Sequence, residues 1–350
     1  MKQLLAYCLS IILCVSFTGC MENYLDLYPE DKITSASFPE NESDIKLLLN
    51  GVYAQLREKE VYNQGLFGFG ITDGATPNAF NWGTDEVFNK LGAGRLSSSD
   101  GGVVTYRWKR CYEIISRANY LLACMDLVDL SEEAKAKYSG ETHFLRGLAY
   151  SVLAETYGGV PIILTNISTE EARSLKRASL EETWQQALDD YEVAITNLGV
   201  DAPEPGRATK GAALGMKMRA YLYQGKYKEV LSCVEQIDAL KKYGLFHSYE
   251  GLFDPANENN KEVLFDIQYI EGENSQGSYI DQYCGTGTGS WTRGSRYVPT
   301  DDLVAAYETI DGSPVDPENP YENRDPRLGF TAVLPGSYFL GYRFPNYLDH

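Results

Sequence analysis

The chain has 350 residues and carries 49 acidic against 31 basic side chains, a net charge of −18. That balance repels phosphate backbones and anionic lipid, and argues against nucleic acid or an anionic membrane surface as a partner. Its three histidines, His143, His247 and His350, show no metal-site spacing, so no metal and no cofactor is expected.

Lys2 and the apolar run from Leu4 to Phe17 read as a targeting segment, too short to span a bilayer permanently. Thr18-Gly19-Cys20 places small residues before a cysteine, the pattern of a bacterial lipoprotein processing site. Cleavage there would remove residues 1–19 as a signal peptide and leave Cys20 as a lipid-carrying N-terminus. The alternative is an ordinary secretory signal cut elsewhere. Losing Lys2 takes the basic count from 31 to 30 against 49 acidic residues, or −19. Nothing after Cys20 is long and apolar enough to cross a membrane, so the mature chain is expected to be anchored rather than spanning. Residues 20–40, with Pro29 and Pro39, read as a tether, and residues 41–350 as one domain.

Helical stripes follow. Ile45, Leu48, Leu49, Val52, Tyr53 and Leu56 form the first, and Cys111, Ile114, Ile115, Ala118, Leu121 and Leu122 the second. Phe144, Leu148 and Val152, with Leu145, Ala149 and Leu153, form a third, broad stripe. Gly158-Gly159 is expected to end that helix, and Pro161 to Leu164 to run on as a short extended segment. Trp184, Ala187, Leu188, Tyr191, Ile195 and Leu198 form a fourth stripe, opened by a Ser179/Glu182 capping box. Residues 208–223 and 227–240 make a further helix pair joined at Gly225. Tyr221, Gly225 and Tyr227 resemble a tetratricopeptide repeat there, although Val230 stands where a small residue is usual. Helical hairpins of this kind stack to bury their apolar faces.

Two regions break the helical pattern. Residues 60–103 are rich in glycine with scattered aromatics. Residues 265–300 run from an expected strand, Val263 to Tyr269, into glycine- and aromatic-rich loop. Long irregular segments in an otherwise regular domain are usually functional or disordered, and these aromatics argue against plain disorder.

Enzyme motifs are thin. The chain has no G-x-S-x-G, H-E-x-x-H or G-x-x-x-x-G-K-[ST] pattern. Gly285-Thr-Gly-Thr-Gly289 lacks the full spacing of a phosphate-binding turn, and Asp254 to Glu262 has Ala256 at a calcium-ligand position. No carboxylate pair for glycoside hydrolysis is signposted. Cys111 and Cys124 fall on one expected helix about 20 Å apart, too far to bridge. They read as buried free thiols, and a Cys233–Cys284 bridge is left open.

The wording of several segments resembles the SusD/RagB family of surface glycan-binding lipoproteins. The matching residues are Glu141, Phe144, Leu145, Arg146, Tyr150 and Leu153, followed by Tyr157-Gly-Gly-Val-Pro161. In the same order come Tyr24-Leu-Asp-Leu-Tyr-Pro29 after Cys20, Leu49-Asn-Gly-Val-Tyr53, Arg117-Ala-Asn-Tyr-Leu-Leu122 and Gly206-Arg-Ala-Thr-Lys210. Asn257 to Phe265 and Asn323-Arg-Asp-Pro-Arg-Leu328 complete the set, so the resemblance runs from about residue 20 to about residue 336. It implies a mostly α fold: tetratricopeptide-like hairpins stacked in a right-handed superhelix, with loop-rich and short β regions forming the ligand face. It also implies a SusC-like TonB-dependent transporter as partner, at the surface of the outer membrane. Family members continue past a segment like Asn323–Leu328 into a final helical hairpin, so a C-terminal part is expected to be missing here.

Aromatics carry the positive chemical signal, with 26 Tyr, 13 Phe and four Trp. A sugar ring lays its C–H face on an aromatic ring, and Tyr and Trp offer that surface rigidly. Polar side chains beside the ring supply fixed donors and acceptors. Asp73, Asn81 and Trp82 in the first irregular region, and Tyr279, Tyr283, Trp291 and Arg293 in the second, are the candidate ligand residues. The family resemblance places the glycan site in these same two regions. Peptide capture is an alternative reading, and glycoside hydrolysis a more distant one.

Overall fold

The computed structural model describes residues 38–57, 73–81, 90–101, 103–269, 297–339 and 342–344. The expected signal, Cys20, the first part of the tether and Cys284 lie outside these residues.

The expected stripes form helices that pack in chain order. Helix α1 (Glu42–Tyr53) buries Ile45, Leu49 and Val52, and is opened by the Asn41 side chain accepting from the Asp44 amide. Helix α2 (Val103–Cys124) starts where the first irregular region ends and buries Cys111, Ile114, Ile115, Ala118 and Leu121. Helix α3 (Glu132–Tyr157) lies at the centre and packs against α1, α2 and the later helices Leu180–Asn197 and Lys210–Tyr223. From Gly140 to Ala154 it is buried on nearly every side, not only along its stripe. A helix enclosed all round keeps no solvated polar face, so its buried charges, Glu141 and Arg146, must find their partners inside the protein.

Gly158 ends α3 with φ 74°, its amide bonding the Ala154 carbonyl at 3.1 Å. Gly159 follows for a different reason: a Cβ there would stand 2.0 Å from the Ala178 carbonyl oxygen, so only glycine lets the two backbones pass. The extended segment after Pro161 is held by Tyr150, whose hydroxyl accepts from the Ile163 amide (2.7 Å) and donates to the Ile163 carbonyl (3.0 Å).

A short helix, α4 (Thr169–Ser174), follows and is opened by a Ser168/Glu171 capping box. Helix α5 (Leu180–Asn197) carries the expected Ser179/Glu182 box and buries Trp184, Ala187, Leu188, Tyr191 and Ala194 against α3. Helices α6 (Lys210–Tyr223) and α7 (Tyr227–Ala239) form the last hairpin of the stack, with Gly225 at φ 68° in the turn. Helix α7 buries only Cys233; Tyr227 and Leu231 are 67 % and 64 % exposed. The fold is mostly α, as expected.

One expectation fails. Val263 to Tyr269 forms no strand. Its alternation is real: Phe265 and Ile267 pack on the helical core, and Phe265 meets Phe144 edge-on at 4.9 Å. Among the described residues, however, no neighbouring strand supplies a hydrogen-bond ladder, and alternation without one gives extended coil.

The remaining strands are short. Strand β1 (Ala79–Asn81) pairs antiparallel with β2 (Tyr297–Pro299), and β3 (Tyr338–Phe339) with β4 (Tyr342–Arg343). Helices α8 (Asp301–Ala306) and α9 (Arg327–Thr331) lie between these pairs.

Candidate functional site

The motif residues build two buried polar clusters that lock the helices together. In the first, the Tyr53 hydroxyl on α1 donates to Glu141 Oε2 on α3 at 2.7 Å and accepts from the Ala208 amide at 2.9 Å. Arg207 lies over the Tyr53 ring at 4.9 Å and pairs with Glu141 at 3.5 Å, their side chains 11 % and 2 % exposed. Burial pushes the Glu141 carboxyl above its usual range, against the opposing pull of Tyr53 and Arg207. Burial, and then the Glu141 charge, raise the Tyr53 phenol well above its own. Three motif segments, Leu49–Tyr53, Glu141–Leu153 and Gly206–Lys210, thus meet at one point.

The second cluster joins α2, α3 and α5. Arg146 donates to Asp190 through Nη2 to Oδ1 at 2.7 Å and through Nε to Oδ2 at 3.1 Å. It also donates to Asn119 Oδ1 at 2.8 Å, while Asn119 Nδ2 donates to the Ile163 carbonyl at 2.9 Å. His143 sits nearby on α3, its Nδ1 2.8 Å from the Ser139 carbonyl and its pKa lowered by burial. These groups point into the protein and into one another. They are scaffold, His143 included.

The β1–β2 ladder joins the two irregular regions. Its register sets Ala79 opposite Pro299, Phe80 opposite Val298 and Asn81 opposite Tyr297. The Thr300 amide continues it by donating to the Asn78 carbonyl at 3.0 Å, and the Thr300 hydroxyl donates to the Pro77 carbonyl. Asp73 is exposed within the first region, its carbonyl accepting from the Thr76 amide and hydroxyl at 2.9 and 2.8 Å. Asn81 is placed by its backbone in β1. Trp82, Tyr279, Tyr283, Trp291 and Arg293 lie outside the described residues. Trp82 follows Asn81 in the chain, and Trp291 precedes Tyr297 by a few residues. The other tryptophans behave as core: Trp184 is 5 % exposed, and Trp108 packs on Tyr157 at 5.2 Å.

The described surface includes the following clefts. One of about 420 Å³ lies between the end of α1, the Glu204–Arg207 loop and Phe265–Gln268. A second, about 310 Å³, lies across the same loop, against Lys242 and Asn259–Lys261. The third, about 390 Å³, is lined by Tyr249, Tyr307, Asp325 and Arg327. Asp73 lines none of them. Among the described residues no cluster of His, Cys, Asp or Glu is arranged to hold a metal ion, and no helix is long and apolar enough to cross a membrane. Cys111, Cys124 and Cys233 are buried free thiols, with burial pushing Cys111 up to about 12.

Comparison with known proteins agrees with the motif reading. Residues 23–222 match a family described as SusD-like, starch-binding and associating with the outer membrane, and residues 261–347 match the SusD family. The SusD-like protein P25 of Formosa agariphila is 26 % identical over 321 residues, which cover 85 % of this chain and 58 % of that protein. A SusD-like protein of Bacteroides ovatus is 23 % identical over 276 residues, covering 73 % and 48 %. Among solved structures, a SusD-like carbohydrate-binding protein of Bacteroides fragilis superposes with a TM-score of 0.76 at 28 % identity, covering 86 % of this chain and 61 % of that one. A laminarin-binding SusD-like protein shares the fold at a TM-score of 0.61 and 21 % identity, covering 73 % and 55 %. The chain spans 48 to 59 % of the length of the curated relatives it matches.

Proposed function

This chain belongs to the SusD/RagB family, and from that membership we propose that it captures oligosaccharides at the cell surface and releases them unchanged. The observation that carries the proposal is the β1–β2 ladder. It pairs Asn81 with Tyr297, so two regions far apart in sequence enter one face. The ladder needs only backbone hydrogen bonds, which leaves the side chains around it free to vary with the ligand.

By their place in the two irregular regions of the sequence, Trp82 and Trp291 are assigned the stacking role, and Tyr279 and Tyr283 further aromatic contacts. Asp73, Asn81 and Arg293 supply directional hydrogen bonds to sugar hydroxyls. Binding is reversible and needs no reacting group. Weak affinity at each site suffices, because a polysaccharide engages many copies at once.

The anchor is a lipid on Cys20, and the partner a SusC-like TonB-dependent transporter in the outer membrane that takes the captured glycan onward. The fold supports such a capturing role: two buried polar clusters fix the helices and leave the ligand face to the loops.

Affinity electrophoresis through gels containing laminarin, amylopectin, mannan, xylan or polygalacturonate tests the reading. At least one polysaccharide should retard the protein. Free migration through all of them, with retention on an immobilised peptide library, would replace glycan capture with peptide capture.

A further inference from the structure

The cleft between Tyr249 and Tyr307 belongs to none of the machinery above. Leu303 and Ala306 of α8 form its apolar wall with the two tyrosines, and Glu308, Asp325 and Arg327 its polar edge. Its volume, about 390 Å³, falls in the range of small-molecule sites.

Beside it runs a strip of exposed aromatic surface. Phe253, Tyr249 and Phe330 are 70 %, 47 % and 51 % exposed. Their rings are neighbours: Tyr249 meets Phe253 edge-on at 5.5 Å and Phe330 at 6.1 Å. These three adjoining exposed rings offer an apolar surface on which a ligand ring can stack.

The walls are held from behind. Arg324 is 7 % exposed and donates to the Pro320, Val304 and Tyr307 carbonyls, each at 2.6 Å. The Tyr307 and Thr331 hydroxyls share a hydrogen bond at 2.8 Å, and the Asp325 amide donates to the Glu308 carbonyl at 2.8 Å. The Tyr307 ring and the backbone that carries Glu308 and Asp325 therefore stand in place before any ligand arrives, which lowers the entropic cost of binding.

The polar edge selects the ligand class. Arg327 donates from Nε and Nη2 to Asp325, which holds the Asp325 carboxyl down at about 2. Glu308 adds a second carboxylate, so the cleft carries net negative charge and disfavours an acidic sugar. A guanidinium has five N–H donors, and those not turned to Asp325 suit neutral hydroxyls, as do the acceptor oxygens of Glu308.

The cleft also lies on the chain that leaves the ladder. Thr300, which extends β2 toward Pro77 and Asn78, is the N-cap of α8. We propose that this cleft is a second carbohydrate subsite, taking a neutral sugar ring on Tyr249 and its aromatic neighbours while the loops hold another part of the same glycan. The inference rests on the glycan-capture reading.

The same polysaccharide gels separate the two. Tyr249→Ala and, independently, the more exposed Phe253→Ala should keep the parent melting temperature and weaken retention by a neutral polysaccharide about five- to hundred-fold, as expected for loss of a stacked ring. Adding Tyr249→Ala to a Trp82→Ala/Trp291→Ala double variant should remove the retention that remains. If the parent is retarded and both cleft variants run like it, the subsite is wrong while glycan capture stands. Retention by polygalacturonate alone would overturn the neutral-sugar assignment. If no polysaccharide retards the parent, both proposals fall together.

Discussion

Arg146 on α3 and Asp190 on α5 form a fork-shaped ion pair with Nη2 to Oδ1 at 2.7 Å, and their side chains are only 6 % and 2 % exposed. Each charge is expensive to bury alone, and the pair is completed by Asn119, which ties it to α2 and to the extended segment at Ile163. The most family-like helix of the sequence thus spends its arginine on the scaffold. Asp190→Ala leaves that guanidinium without its counter-ion and should cost about 3–5 kcal/mol, read from urea unfolding. A loss under about 1 kcal/mol would show that water or a neighbour replaces the carboxylate.

Leu148 is 2 % exposed in the middle of α3, where the enclosing helices leave little room to collapse. Leu148→Ala should destabilise by about 2–5 kcal/mol. An unchanged melting temperature would mean that α3 is not the packing centre.

Glu141 makes stability depend on pH in a defined direction. Burial raises its folded pKa above 4.5, so the folded state holds this proton more tightly than the unfolded chain. The contribution is fully present below the unfolded value and is lost as pH rises through the raised folded value. Glu141→Gln removes that loss and keeps an acceptor for the Tyr53 hydroxyl. The stability of the variant relative to the parent should therefore climb as pH rises from below 4.5 toward neutrality. Paired melting curves across that window check it; a flat or falling difference would contradict it.

Much of the helical scaffold was legible because burial writes a period into the sequence. Ile45, Leu49 and Val52, or Trp184, Leu188 and Tyr191, could be placed on one face by spacing alone, and all are buried. The Ser179/Glu182 box was equally readable, and the same S-x-x-E signal at Ser168 would have found α4. The pairings of Arg146 with Asp190 and of Tyr53 with Glu141 were not, because they depend on which helices pack together and not on any local pattern. Val263 to Tyr269 misled for the converse reason. Phe265 and Ile267 alternate inward as in a strand, but a strand also needs an edge to join. The β1–β2 pairing joins two three-residue strands across most of the chain and leaves no sequence signature. Of the candidate ligand residues, Asp73 and Asn81 fall among the described residues, Asp73 exposed and Asn81 in the ladder. The third cleft was missed because Tyr249, Tyr307 and Arg327 come from separate segments.

The central claim is that the residues flanking the β1–β2 ladder hold the glycan while the stacked helices α1 to α7 support them. Titration of the retaining oligosaccharide against Trp82→Ala, Trp291→Ala and Trp184→Ala variants tests it most directly. The two loop variants should each lose about 1–3 kcal/mol of binding, roughly a five- to hundred-fold weaker affinity, with little change in melting temperature. Trp184, 5 % exposed on α5, should do the opposite: its loss should lower the melting temperature and affect binding only through the fold. Loop variants that bind every glycan as the parent does, or a Trp184 variant that weakens binding at an unchanged melting temperature, would contradict the account.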